Sequence, residues 1–265
     1  MPPPCSESPI SVDFVTGSAG GDPALDVALP HALLAFVAAK RRCPVVRCYR
    51  PAATVAFGRR DTFVPGFAAA AAAARRHGFT PVIRGAGGRA AAYDEGSLIF
   101  DEVMPADGSQ IRERFAGDAE RQARALRELG VDAHVGEVPG EYCPGEFSVN
   151  ARGRVKLIGA AERIVKGAWL HSSVVVVNST QSLRAVLTDV YAALGLDWDP
   201  STTGAVAEEA PGAGIEDVRA ALLAEYGTRY TLAPASLTDA DLAHAAELLD
   251  RHRIDRRADR AETRP

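Results

Sequence analysis

The sequence predicts an α/β (α+β) fold built on a central mixed β-sheet flanked by helices. Three observations lead there. Strand-like runs occur both in hairpin pairs and beside helices, segments of helical period separate them, and the composition suits a globular chain with a sizeable core: 47% hydrophobic and 24% charged over 265 residues. That length allows one large domain, or one domain with a small helical appendage.

The elements can be justified in order. Residues 1–9 carry consecutive prolines and lack both a charged leader and an apolar stretch, so residues 1–20 are expected to be a flexible N-terminus and not a signal peptide. After the break at Gly20-Gly21-Asp22-Pro23, the spacing of Leu25, Leu29, Leu33, Ala35 and Phe36 predicts a helix over 24–40. Strands are expected at 45–49 and 54–58, then an alanine-rich helix over 67–77 stopped by Gly78. A strand at 80–84 leads into a glycine-rich loop, and runs at 90–93 and 97–103 around Asp94-Glu95-Gly96 read as a hairpin. A charged amphipathic helix over 111–129, a strand at 131–135 and an irregular stretch over 136–145 follow. Two strands at 155–164 and 169–177 flank Val165-Lys166-Gly167, and helices are expected at 181–194, 215–226 and 237–251 with a linker at 197–214. The charged stretch 254–265, poor in apolar residues, is expected to be disordered.

The net charge is −4 with the two signs interspersed, so no basic field exists to hold nucleic acid or an anionic membrane. No apolar run approaches the roughly 20 residues needed to span a bilayer. A cytoplasmic location is expected, with small molecules or proteins as partners. A reducing compartment keeps the four cysteines, Cys5, Cys43, Cys48 and Cys143, as thiols. Cys43 and Cys48 lack histidine partners, and no metal site is expected.

Three segments could carry chemistry. Arg84-Gly85-Ala86-Gly87-Gly88 follows a strand and precedes another, so it is neither a dinucleotide turn nor a Walker loop. It is a bend within a sheet, or a backbone that a ligand approaches closely beside a guanidinium. Cys143 lies in Glu141-Tyr142-Cys143-Pro144-Gly145-Glu146, an irregular turn where the thiol is either reactive or loop filler. Lys156 is one of only three lysines among 30 basic residues and precedes Gly159, Ala160 and Ala161, which leave space for a ligand. A solvent-facing strand lysine is the alternative. His171 reads as a structural histidine opening a strand.

In this order the pieces resemble the biotin/lipoate protein ligase and lipoyl-transferase family. The matching segments run from Arg50 to Arg59 (Arg50-Pro51-Ala52-Ala53-Thr54-Val55-Ala56-Phe57-Gly58-Arg59), from Val82 to Gly88, and from Lys156 to Arg163. Gly58-Arg59-Arg60-Asp61-Thr62, Asp94-Glu95-Gly96-Ser97-Leu98 and Tyr142-Cys143-Pro144-Gly145 look like the cysteine-dependent octanoyl amidotransferases within it. The resemblance implies that residues 21–196 are an acyltransferase catalytic domain and 197–253 a helical extension packed on it. It implies Cys143 as acyl carrier and Lys156 as its catalytic support. Arg50, Phe57, Gly58, Arg84, Gly85, Gly87, Gly88, Tyr93, Gly159, Ala160 and His171 are the implied substrate-binding residues. The implied donor is the glycine-cleavage H protein or acyl carrier protein, and the acceptors are lipoyl domains of 2-oxoacid dehydrogenase complexes. No cofactor is required on this reading. ATP and magnesium enter only if the chain is instead an ATP-dependent lipoate ligase, and a non-catalytic binder of lipoyl domains is the remaining alternative.

Overall fold

A computed structural model describes residues 10–178 and 180–254. Strand β1 (Ile10–Thr16) precedes helix α1 (Pro23–Ala38), strands β2 (Val45–Tyr49) and β3 (Thr54–Phe57), helix α2 (Phe67–Arg76) and strand β4 (Thr80–Ile83). Strands β5 (Ala91–Tyr93) and β6 (Ser97–Pro105), helix α3 (Ile111–Glu128) and strands β7 (Ala133–Val135) and β8 (Val149–Ala151) follow. The long pair β9 (Val155–Val165) and β10 (Ala168–Val176) leads to α4 (Gln181–Leu194), the single turn α5 (Val206–Glu209), α6 (Ile215–Gly227), β11 (Tyr230–Ala235) and α7 (Asp239–Glu247).

The strands form a mixed sheet in the order β11-β1-β2-β6-β10-β9-β8-β7 and a small sheet β4-β3-β5. In the large sheet β1 runs parallel to both β11 and β2, and the pairs beyond β2 are antiparallel. Alternation along each strand divides the core. Val45, Val103 and Leu170 pack on Leu29 and Leu33 of α1, whereas Val46, Phe100 and Trp169 face the side holding Leu126 of α3 and Leu222 and Tyr226 of α6. Helices α2 and α4 cover the small sheet, where Ala70, Ala73 and Ala74 let α2 sit close to Val186 and Val190.

Helix α1 shows how local chemistry and tertiary packing meet. Asp22 caps it by accepting from Ala24 N at 2.9 Å, and Pro23 stands at its first turn. Pro30 inside the helix has no N–H for the Asp26 carbonyl. The buried Arg47 guanidinium supplies the missing donor at 3.3 Å and also pairs with the Asp26 and Asp101 carboxylates.

Several expectations are corrected. Residues 10–16, assigned to a flexible N-terminus, are strand β1, and residues 230–235 of the expected helical extension are strand β11 beside it. The C-terminal region therefore completes the main sheet. Runs 90–93 and 97–103 do not form a hairpin: β5 pairs with β3, β6 pairs with β2 and β10, and the turn between them passes from one sheet to the other. Strand β8 falls where no element was expected, and the predicted strand at 131–135 shortens to β7. Positions 1–9 and 255–265 lie outside the described residues. No helix among the described residues is long and apolar enough to cross a membrane.

Candidate active site

The site is assembled from three strand-end segments and the start of one helix. Arg84 follows β4, and the loop from Gly85 to Arg89 connects it to β5. Cys143 lies in the long connection between β7 and β8, Lys156 and Gly159 project from β9, and Ile111, Arg112 and Phe115 come from the first turns of α3. Together they line a pocket of about 460 Å³ whose walls include Ala91, Phe147, Ala160, Ala161 and Val174.

Cys143 occupies a left-handed backbone conformation, φ 44°, uncommon for a residue with a side chain. It is held there by Tyr191 of α4, whose hydroxyl accepts from Cys143 N at 2.7 Å and donates to the Ala90 carbonyl at 2.9 Å. Two donors converge on the sulfur: Arg84 Nη2 and the Arg89 backbone N–H, each 3.2 Å from Sγ. Arg84 Nη2 also donates to the Arg89 carbonyl at 2.6 Å. Burial opposes ionisation of this thiol. The charges of Arg84 and Lys156 and the Arg89 amide outweigh that penalty, so the Cys143 thiol is held below its ordinary value.

Lys156 is buried, and its ammonium donates to Glu141 Oε1 at 3.1 Å, Tyr142 O at 3.1 Å and Cys143 O at 2.9 Å, while lying 4.9 Å from the centre of the Tyr142 ring. The same Glu141 oxygen accepts from Ser148 Oγ at 2.6 Å and Gly145 N at 2.9 Å, and its partner oxygen from Val138 N at 3.2 Å. Lysine and glutamate thus lace the cysteine turn from both ends. An ammonium offers three donors, and all three are directed at this turn.

Close approach dictates the glycines. A Cβ on Gly88, which has φ +100°, would come within 2.8 Å of the Cys143 sulfur, and one on Gly159 within 2.8 Å of Lys156 Cε. A Cβ on Gly58 would overlap the Gly88 carbonyl oxygen, and one on Gly85 would meet His31 at 2.6 Å. Gly58 and Gly85 therefore set the loop's position from behind, whereas Gly87, Gly88, Gly159 and Ala160 line the pocket. Tyr93 borders a second, smaller cavity of about 70 Å³ behind the loop, which shares Arg84, Gly159, Ala161 and Val174 with the first.

Three expected binding residues stand elsewhere. Arg50 is exposed and fastens the Glu95 carbonyl through two donors at 3.1 and 2.8 Å. Phe57 is a core residue, edge-on to Phe67. His171 does not open a strand; it is buried within β10, edge-on to Phe115 and 3.7 Å from Asp118. Burial pushes its pKa down despite the nearby Glu102 and Glu162 carboxylates. Sequence reasoning missed Tyr191, Glu141 and the α3 residues. Glu141 stood two places before the cysteine, and a buried lysine needs a carboxylate, so that pair was the available signal. Among the described residues no group of histidine, cysteine and carboxylate side chains could hold a metal.

The fold thus brings a cysteine, a glycine-rich loop and a lysine-bearing strand around one largely apolar pocket. The lipoyl protein ligase A/B catalytic domain matches residues 22–227, and the chain belongs to that family. The octanoyl-[GcvH]:protein N-octanoyltransferase of Geobacillus kaustophilus is 31% identical over 172 residues, which are 63% of this chain and 60% of that protein. The protein of the same name from Exiguobacterium sibiricum is 34% identical over 142 residues, covering 53% of this chain and 52% of its own length. The chain thus spans between half and two thirds of the length of these two relatives. A bi-partite lipoate protein ligase from Thermoplasma acidophilum, 23% identical, superposes with a TM-score of 0.72 over 91% of this chain and 92% of that one, which establishes the shared fold.

Proposed function

We propose that the protein transfers an octanoyl or lipoyl group, carried as a thioester on Cys143, to a lysine of a lipoyl domain. One observation carries this reading: a thiol held below its ordinary pKa, with two N–H donors on its sulfur, opens onto a pocket walled by Ala91, Ile111, Phe115, Phe147 and Val174. The names of the two octanoyltransferase relatives support the octanoyl group and a glycine-cleavage H protein as donor. Octanoyl-acyl carrier protein is the alternative donor, and the acceptors are lipoyl domains of 2-oxoacid dehydrogenase complexes.

The Cys143 thiolate attacks the acyl carbonyl, forming a C–S bond and an oxyanion within reach of the Arg84 and Arg89 donors. Collapse breaks the C–N bond of an amide donor, and the departing amine takes up a proton. The acceptor lysine then attacks the thioester, the C–S bond breaks, the thiolate is restored and the acceptor nitrogen gives up a proton. Exchange between two lysine amides is nearly neutral, and discharge of a carrier thioester is downhill, so neither requires nucleotide. Each methylene buried in the pocket contributes about 0.8 kcal/mol to holding the chain.

The test is transfer from octanoyl-H protein and octanoyl-acyl carrier protein to a lipoyl domain, with and without ATP and magnesium. Transfer without nucleotide that disappears in Cys143→Ser supports the proposal. Transfer from free octanoate that requires ATP and survives Cys143→Ser makes the chain a ligase, and binding without transfer makes it a non-catalytic partner.

A further inference from the structure

We propose that Asp61 is a positioning residue that aims the Arg89 backbone N–H at the Cys143 sulfur, an inference that rests on Cys143 being the nucleophile. Asp61 opens a short 3-10 turn (Asp61–Phe63) and is fully buried, yet its carboxylate touches nothing in the pocket. Its two oxygens hold the two groups that bracket the Gly88–Arg89 peptide, the Arg89 side chain and the Gly58 backbone. Oδ1 accepts from the Arg89 side chain at 3.1 Å, and Oδ2 accepts from Gly58 N at 2.9 Å. Gly58 in turn abuts the Gly88 carbonyl oxygen so closely that no Cβ fits between them.

That carbonyl and the Arg89 N–H belong to the same peptide unit. A trans peptide is planar, with its C=O and N–H pointing in opposite directions, so fixing the oxygen against Gly58 fixes the direction of the hydrogen. The hydrogen points to Cys143 Sγ, with nitrogen and sulfur 3.2 Å apart. The Arg89 side chain, tied to Asp61 Oδ1, secures the other end of the unit. A buried carboxylate is costly unless its oxygens are satisfied, and here each is satisfied by one of the two groups that bracket this peptide. An amide at position 61 has a single acceptor oxygen and faces Arg89 or Gly58 with a donor, so it can keep only one of the two grips.

The sign of the effect separates positioning from simple charge. Asp61→Asn removes a negative charge from the neighbourhood of the thiolate, which through space alone would ease ionisation of Cys143. Loss of the aimed N–H does the reverse.

The experiment is the pH profile of Cys143 alkylation by iodoacetamide, read at the Cys143 peptide by mass spectrometry, for wild type, Asp61→Asn, Arg89→Met, Arg89→Gln and Arg89→Lys. Reaction in Asp61→Asn and Arg89→Met should slow roughly tenfold near neutral pH and converge on wild type by about pH 10, where an ordinary thiol is ionised. Arg89→Lys, which keeps a cation for Asp61, should recover most of the loss. Profiles that superpose on wild type, an apparent pKa that falls, or a rate reduced by the same factor at every pH would overturn the proposal. Arg89→Met alters a side chain about one third exposed. Because it also removes a cation that by itself favours the thiolate, it is read against Arg89→Gln, equally neutral but with a donor left for Asp61. If Asp61→Asn does not fold, slower reaction in Arg89→Met than in Arg89→Gln supports the positioning role and equal rates overturn it. A shifted profile in a protein that forms no acyl-cysteine would leave the positioning role standing and remove the transfer reading, and the opposite pair of results would do the reverse.

Discussion

Tyr191→Phe removes one oxygen atom, and its consequences follow from two hydrogen bonds. The hydroxyl accepts from Cys143 N at 2.7 Å and donates to the Ala90 carbonyl at 2.9 Å, so its loss strips partners from two backbone groups in a largely buried region. Each unpaired group costs about 1–3 kcal/mol, and partial relaxation brings the expected loss of stability to roughly 2–4 kcal/mol. The site feels more than the average. Cys143 sits at φ 44°, a conformation that stores about 1–3 kcal/mol and persists only while its surroundings impose it. Without the tyrosine anchor the turn relaxes and Sγ leaves the Arg84 and Arg89 donors, 3.2 Å away in the intact site. Acyl transfer to the cysteine should fall at least about tenfold, the equivalent of about 1.4 kcal/mol. Urea denaturation gives the first quantity and single-turnover acylation the second. A variant within about 0.5 kcal/mol of wild type that acylates at the normal rate would refute the anchoring role.

Lys156→Arg keeps the charge but not the shape: three acceptors converge on a compact ammonium and the Gly159 backbone closes on Lys156 Cε, so a planar fork has no room. Acylation and discharge of Cys143 should both slow by about a hundredfold or more in single-turnover assays as the cysteine turn is displaced, and equal rates would mean that the ammonium does not hold that turn in its working geometry. His31 packs against Gly85 and stacks on His252, and burial, aided by the charges of His252 and Arg163, depresses its pKa to about 3 from 6.5. The unfolded chain then binds the proton more readily, so this contribution to stability is complete above pH 6.5 and is lost as the pH falls toward 3. His31→Phe should reduce the fall in Tm between neutral and acid pH, and parallel curves for the two proteins would contradict the assignment.

Much of the candidate site was legible because its signals are local. A glycine loop after a strand, a cysteine in a Pro-Gly turn and a rare lysine before small residues each announce themselves within a few positions. The missed features are non-local. Strands β1 and β11 stabilise one another across the whole chain, with Ile10 opposite Tyr230, and neither carries a turn signal linking it to its partner. The Asp94-Glu95-Gly96 turn does reverse the chain, but its two strands belong to different sheets, a choice made by the partners β3, β2 and β10 and not by the turn. Tyr191 is invisible for the same reason: on α4 it is an apolar-face aromatic like any other, and only folding carries its hydroxyl to Cys143, 48 residues earlier. Arg50, Phe57 and His171 mark the reverse error, since a family-like segment reads as binding residues when part of it supports the loop or fills the core.

Whether Cys143 carries the acyl group is decided by intact-mass spectrometry of the protein quenched in acid during turnover with an octanoyl-protein donor. A species heavier by one octanoyl group is predicted, mapping to the peptide that contains Cys143, released by hydroxylamine or by an added lipoyl domain, and absent from Cys143→Ser. Octanoyl transfer to the lipoyl domain with no such species at any time point, and undiminished in Cys143→Ser, would contradict it.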